Sequence, residues 1–96
     1  MTQWLLSEAA AEDLERLVDF LLQAAPEHAE ETVRLITQAL DILQEHPCIG
    51  RPVNHGLREL VISRGSTGYV ALYDHVEALD VVIVHAIRHQ REVGYN

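Results

Sequence analysis

The 96-residue sequence predicts an α+β fold of two layers, an antiparallel helical hairpin packed on a small antiparallel sheet. Three observations carry this prediction. Apolar residues recur at helical spacing between Ser7 and His46, the period changes to two after Gly56, and a β-branched run, Val81–Ile87, reads as a central strand buried on both faces. The expected order is β-α-α-β-β-β: a short N-terminal strand, two helices, then a three-stranded antiparallel meander. Residues 1–96 are read as one domain, because a chain of this length builds one modest core.

Trp4-Leu5-Leu6 forms the first, edge strand. Ser7 is a good N-cap, and Glu8 behind it favours the positive end of the helix dipole. Ala10, Leu14, Leu17, Val18 and Leu21 then make a helical stripe that ends near Ala24–Ala25. Pro26 suits the first position of a second helix, with Glu27, Glu30 and Glu31 in its opening turns. Ala29, Val33, Ile36, Leu40 and Leu43 form one stripe on it, and Leu35, Ala39 and Ile42 form a second. Such a wide apolar face predicts packing against both the first helix and the sheet. His46-Pro47 ends it.

Residues 49–56, rich in Gly, Pro and Asn, read as a loop. Strands follow at Leu57–Ser63 and Tyr69–Asp74, joined through Gly65-Ser-Thr-Gly68, and the last strand spans Asp80–Ile87. Cys48 has no basic neighbour and reads as a small apolar packing residue.

Composition narrows the function. Mean hydropathy is −0.01 and net charge −8. No apolar run reaches the ~20 residues of a membrane span, and the N-terminus carries acids instead of a basic export signal. A single cysteine forms no internal disulfide, so a cytoplasmic location is expected. Ten of the fifteen acids fall in residues 1–48 against two arginines, while the second half balances five acids with five arginines. That charge opposes long-range attraction to a phosphate backbone and weakens the case for non-specific nucleic-acid binding; direct sequence-specific nucleic-acid binding by the chain alone is not expected either.

The residues with chemistry to offer are Arg58, Arg64, Arg88, His89, Arg91 and Tyr95. Guanidinium groups hold planar anions, and an imidazole or phenol beside them exchanges protons. Brought together on the open sheet face or its end, they would form a target-binding site; apart, they are solvating side chains. The pairs Glu12–Asp13 and Glu30–Glu31 read as solvated helix faces. No catalytic set, metal site or cofactor is expected: the histidines lack ligand spacing, and no phosphate-binding Gly loop or nucleophile elbow is present.

The phrases LSEAAAEDLERLVDFL, LQEHPCIGRPV, LRELVI, GYVALY and VVIVHAIRHQREVGY follow one another across nearly the whole chain. In that order they resemble the RelE/ParE toxin family of bacterial type II toxin–antitoxin systems, on its ParE-like, plasmid-stabilisation side. The resemblance implies a growth-inhibiting toxin without cofactor, in a hetero-oligomer with a cognate antitoxin whose disordered segment folds on the toxin. Phe20 and Leu22, off the main stripe of the first helix, are the candidate antitoxin contacts. RelE-like members cut messenger RNA on the ribosome, whereas ParE-like members poison DNA gyrase without a reaction of their own. The two lysines of the nuclease branch align here with Leu60 and Ile62. One of its arginines aligns with Val70 and another with His89, next to Arg88; its tyrosine is matched by Tyr95. RNA cleavage needs fixed cations around the developing charge, which Leu60, Ile62 and Val70 do not supply. The expectation is therefore a gyrase inhibitor, with the ribosome-dependent endonuclease and an inactive, antitoxin-binding toxin as the alternatives.

Overall fold

The computed structural model describes residues 2–62 and 68–89, in the order β1 (Gln3–Leu6), α1 (Glu8–Ala24), α2 (Pro26–Ile42), β2 (Arg51–Pro52), β3 (Arg58–Val61), β4 (Tyr69–Val76) and β5 (Val81–His89). One sheet runs β1-β5-β4-β3-β2, with the helical hairpin on one face, and so the predicted α+β arrangement holds. The meander is antiparallel throughout, while β1 lies parallel to β5, with Leu6 opposite Val84. The Ser7 hydroxyl accepts the Ala10 N–H at 3.1 Å and begins α1 as its residue type requires.

Arg51–Pro52, read as loop, pairs with β3 as a two-residue edge strand, so the sheet has five strands instead of four. Proline is tolerated there because an edge strand has one side that needs no amide donor. The third strand is shorter than expected, Arg58–Val61, whereas β4 and β5 both run two residues further than expected. Arg88 and His89 therefore sit on the strand itself. β5 is central by pairing, yet Val81 and Ile83 are only half-buried, because helices cover just one face.

The core lies between the layers. Ala10, Ile36, Leu40 and Leu43 meet Ala71, Tyr73, Val82, Val84 and Ile87, all at most 4% exposed. Tyr73 reaches through this core to accept the Gly50 N–H at 2.8 Å, and an added Cβ at Gly50 would lie 2.7 Å from its ring. The second stripe of α2 is not absorbed: Leu35 and Ile42 stay 39% and 46% exposed. Cys48 is exposed, contrary to the packing role expected of it, because the chain turns outward between α2 and β2.

Two local devices shape the end of β5. Leu72 pairs with Ala86 and Tyr73 with Val84, which leaves His85 as the extra residue of a bulge. Its Nε2 lies 2.7 Å from Asp74 Oδ1 and its side chain is exposed, so it is a face residue and no part of the core. Beyond Val84, β5 has no strand on its β1 side, since β1 ends at Leu6. There α1 lies alongside, and Asp13 Oδ2 accepts the Ile87 N–H at 3.0 Å. Asp13, expected on a solvated face, is thus 9% exposed and stands in for a missing strand.

Candidate functional site

Asp13 is the pivot of the site because three donors converge on it. Besides the Ile87 amide, Arg16 Nη2 donates to Oδ1 at 2.7 Å, and Arg88 Nε lies 3.6 Å from Oδ2. Asp13, Leu17 and Phe20 fall at i, i+4 and i+7 on α1, so one stripe of the helix carries the carboxylate and then two apolar groups. With Arg16, Tyr69, Ile87 and His89 they line a cleft of about 400 Å³ between α1 and the ends of β4 and β5.

Tyr69 and His89 are cross-strand partners and stack edge to face, ring centroids 5.5 Å apart at 85°. Tyr69 is 7% exposed, and this burial pushes its phenol above the ordinary tyrosine range. It is therefore neutral at physiological pH and offers a hydrogen-bonding tip on a rigid apolar body. Asp13 offsets the positive charge of Arg16 and, at longer range, of Arg88. The cleft is equipped to grip an apolar side chain beside a polar group.

The sequence candidates divide. Arg88 and His89 belong to this site, and Phe20, 64% exposed, forms its lip. Arg58 does not. Its Nη1 donates to the Cys48 and Gly50 carbonyls at 3.1 and 2.9 Å and pins the chain that enters β2. The pairing puts Arg58 beside Tyr73 and Val84, three residue pairs along and two strands across from Arg88. That is about 10 Å in each direction, so the expected convergence of these two arginines does not occur. Leu22 is exposed, but it follows Phe20 by two residues and points to a different side of α1. Arg64, Arg91 and Tyr95 lie outside the described residues.

Asp13, Arg16, Leu17 and Tyr69 belong to the site without having been singled out. For Asp13 the signal was present: it lies three residues after Ala10 and four before Leu17, in phase with the buried stripe. Of the positions aligned with nuclease-branch cations, Leu60 and Ile62 pack against the core and Val70 is fully buried. Among the described residues no three His, Cys, Asp or Glu side chains converge as metal ligands. No described helix is long and apolar enough to cross a membrane.

Comparison with known proteins places this architecture. Residues 5–94 match the family described as the ParE toxin of the type II toxin–antitoxin system, parDE. Toxin RelE3 of Caulobacter vibrioides is 36% identical over 91% of this chain and 92% of its own. Toxin RelE1 of the same organism is 38% identical over 72% of this chain and 74% of its own. Among solved structures, a chain of the chromosomal ParDE TA system from P. aeruginosa superposes with a TM-score of 0.75 at 24% identity, covering 93% of this chain and 95% of that one. The RelBE2 toxin–antitoxin complex of Mycobacterium tuberculosis gives a TM-score of 0.59 at 22% identity, covering 93% and 98%.

Proposed function

This chain belongs to the ParE toxin family of type II toxin–antitoxin systems, and from that premise we propose that it arrests growth by binding bacterial DNA gyrase, without a reaction of its own. The observation that carries the choice of target is the aliphatic occupancy of the positions where the nuclease branch has cations. Leu60 and Ile62 face the core, and Val70 is buried opposite Arg88. An RNA phosphorane has no fixed cation at those places to meet it. A net charge of −8 further disfavours docking among ribosomal phosphates.

The contact with gyrase is assigned to Arg88, His89, Arg64, Arg91 and Tyr95; Arg58 keeps its structural task. The protein acts in the cytoplasm, where gyrase is. It is held inactive by a cognate antitoxin, a reading supported by the similarity to ParDE and RelBE complexes. An amphipathic segment of that antitoxin packs on the helical hairpin, with Phe20 as one anchor.

The test is a supercoiling assay with the antitoxin-free protein, scored for linear DNA after detergent and protease treatment. Inhibition with cleaved DNA accumulating is the expected result, relieved by joint substitution of Arg88 and Arg91. A toxic, folded protein that leaves gyrase untouched would remove this target.

The second reading, a ribosome-dependent mRNA endonuclease, draws on the RelE names of the two relatives and on His89 at the aligned arginine position with Arg88 beside it. Primer extension after induction separates the two. Discrete cuts in translated messages support the nuclease, and intact messages in arrested cells support the gyrase reading.

A further inference from the structure

The helical layer holds nearly all of the net charge of the chain. Residues 8–42 carry nine acids and two arginines, −7 of the total −8. Both arginines are already paired, Arg16 with Asp13 and Arg34 with Glu30. The same layer exposes Phe20, Leu22, Leu35 and Ile42 by 39–64%. Large apolar side chains held out to solvent on helices mark a contact surface when they border a cleft.

They do border one. Besides the cleft at Phe20, a second of about 590 Å³ opens between Leu21, Ala25, Glu31, Leu35 and Gln38, and Tyr69 lines both. Tyr69 thus floors a two-lobed trough with Phe20 at one end and Leu35 at the other. Glu31 lines the second cleft together with His28 and with Arg34, whose charge Glu30 offsets, and Glu27 lies one turn before Glu31 on the same side of α2. Such a layer repels an acidic segment, a phosphate backbone or a second copy meeting it through the same face. Its complement is a helix with one apolar stripe flanked by Lys and Arg.

We propose that this trough seats a cationic amphipathic helix, so that the antitoxin segment neutralising this chain is basic where it crosses the hairpin. The inference rests on the antitoxin reading above and adds the chemistry of the partner. Its apolar stripe fills the space between Phe20, Tyr69 and Leu35, and its cations lie over Glu27 and Glu31.

The probes are two synthetic helical peptides of one length and one leucine stripe, with lysine at every polar position in the first and glutamate in the second. Their binding to the full chain is followed by fluorescence anisotropy at low and high salt. The lysine peptide is expected to bind roughly tenfold tighter or more, and to weaken several-fold as salt rises from about 0.1 to about 0.5 M. Phe20→Ser and Leu35→Ser should each weaken it, and both residues are exposed enough for the variants to fold. Glu31→Lys should weaken it, whereas Glu77→Lys, on the turn before β5, should leave it unchanged.

Equal binding of the glutamate peptide would overturn the proposal. So would equal weakening by Glu77→Lys, which would mean diffuse attraction instead of a seat. Self-association abolished by Phe20→Ser would assign the trough to a second copy and likewise overturn it. If the lysine peptide fails while a co-expressed antitoxin still restores growth, the antitoxin reading stands and only the charge inference falls.

Discussion

Asp13→Ala tests whether a side chain does the work of a strand at the edge of β5. The carboxylate accepts the Ile87 N–H at 3.0 Å, and Ile87 is only 4% exposed, so its amide cannot turn to water once the acceptor is gone. Leaving a buried donor unmatched costs about 1–3 kcal/mol. The Arg16 side chain is 68% exposed and that of Arg88 45%, so solvent screens both ion pairs; together they add about 0.5 kcal/mol. The expected loss is about 2–3 kcal/mol, which for a chain of this size lowers Tm by on the order of 10 °C. Asp13→Asn keeps an oxygen for Ile87 and loses only the charge assistance, about 1 kcal/mol. Urea titrations followed by far-ultraviolet circular dichroism measure both. An alanine variant within about 0.5 kcal/mol of the parent, or an asparagine variant as damaged as the alanine one, would refute the strand-substitute argument.

Tyr73→Phe should cost about 1–3 kcal/mol, because it strands the buried Gly50 N–H that the hydroxyl accepts at 2.8 Å. Gly50→Ala should cost at least as much for a steric reason, its Cβ meeting the Tyr73 ring at 2.7 Å and the Glu59 carbonyl at 2.9 Å; chemical denaturation checks both. Asp80 accepts the Thr2 hydroxyl at 2.6 Å and has His75 Nε2 at 3.3 Å, and these hydrogen bonds, that of Thr2 foremost, hold its pKa below the ordinary carboxylate range. With the folded pKa below the unfolded one, its stabilising contribution is present above about pH 4 and is lost as pH falls through the folded pKa. Thr2→Val should move the Asp80 titration upward by NMR, and an unchanged midpoint would remove Thr2 as the cause. Phe20→Asp should reduce antitoxin capture in a pull-down by tenfold or more on the order expected of a central apolar anchor, while full retention would exclude Phe20 from the interface.

The order of elements was legible because it rests on local rules that the chain carries in plain form. Ser7 caps one helix, Pro26 opens the other, and the period changes from helical to alternating after Gly56. The family phrases were legible for the same reason, being contiguous words in the sequence. The strand at Arg51–Pro52 was hidden, because two residues carry no period and their pairing depends on where β3 runs.

The site was half legible. Arg88, His89 and Phe20 announced themselves by chemistry or by standing off the main stripe; His89 and Phe20 line the cleft at Asp13, and Arg88 pairs with Asp13 itself. What sequence by itself determined is the α+β class, the hairpin, the meander and the concentration of acid on the helices, since each is a property of neighbouring residues. Only the tertiary structure decided that Arg58 pins a loop while Arg88 faces a buried carboxylate. It also decided that Asp13 is buried and that Tyr69 floors two clefts. Those facts depend on the register of β3, β4 and β5 and on the early end of β1. A long-range pairing, unlike a helical period, leaves no trace in the residues on either side of it.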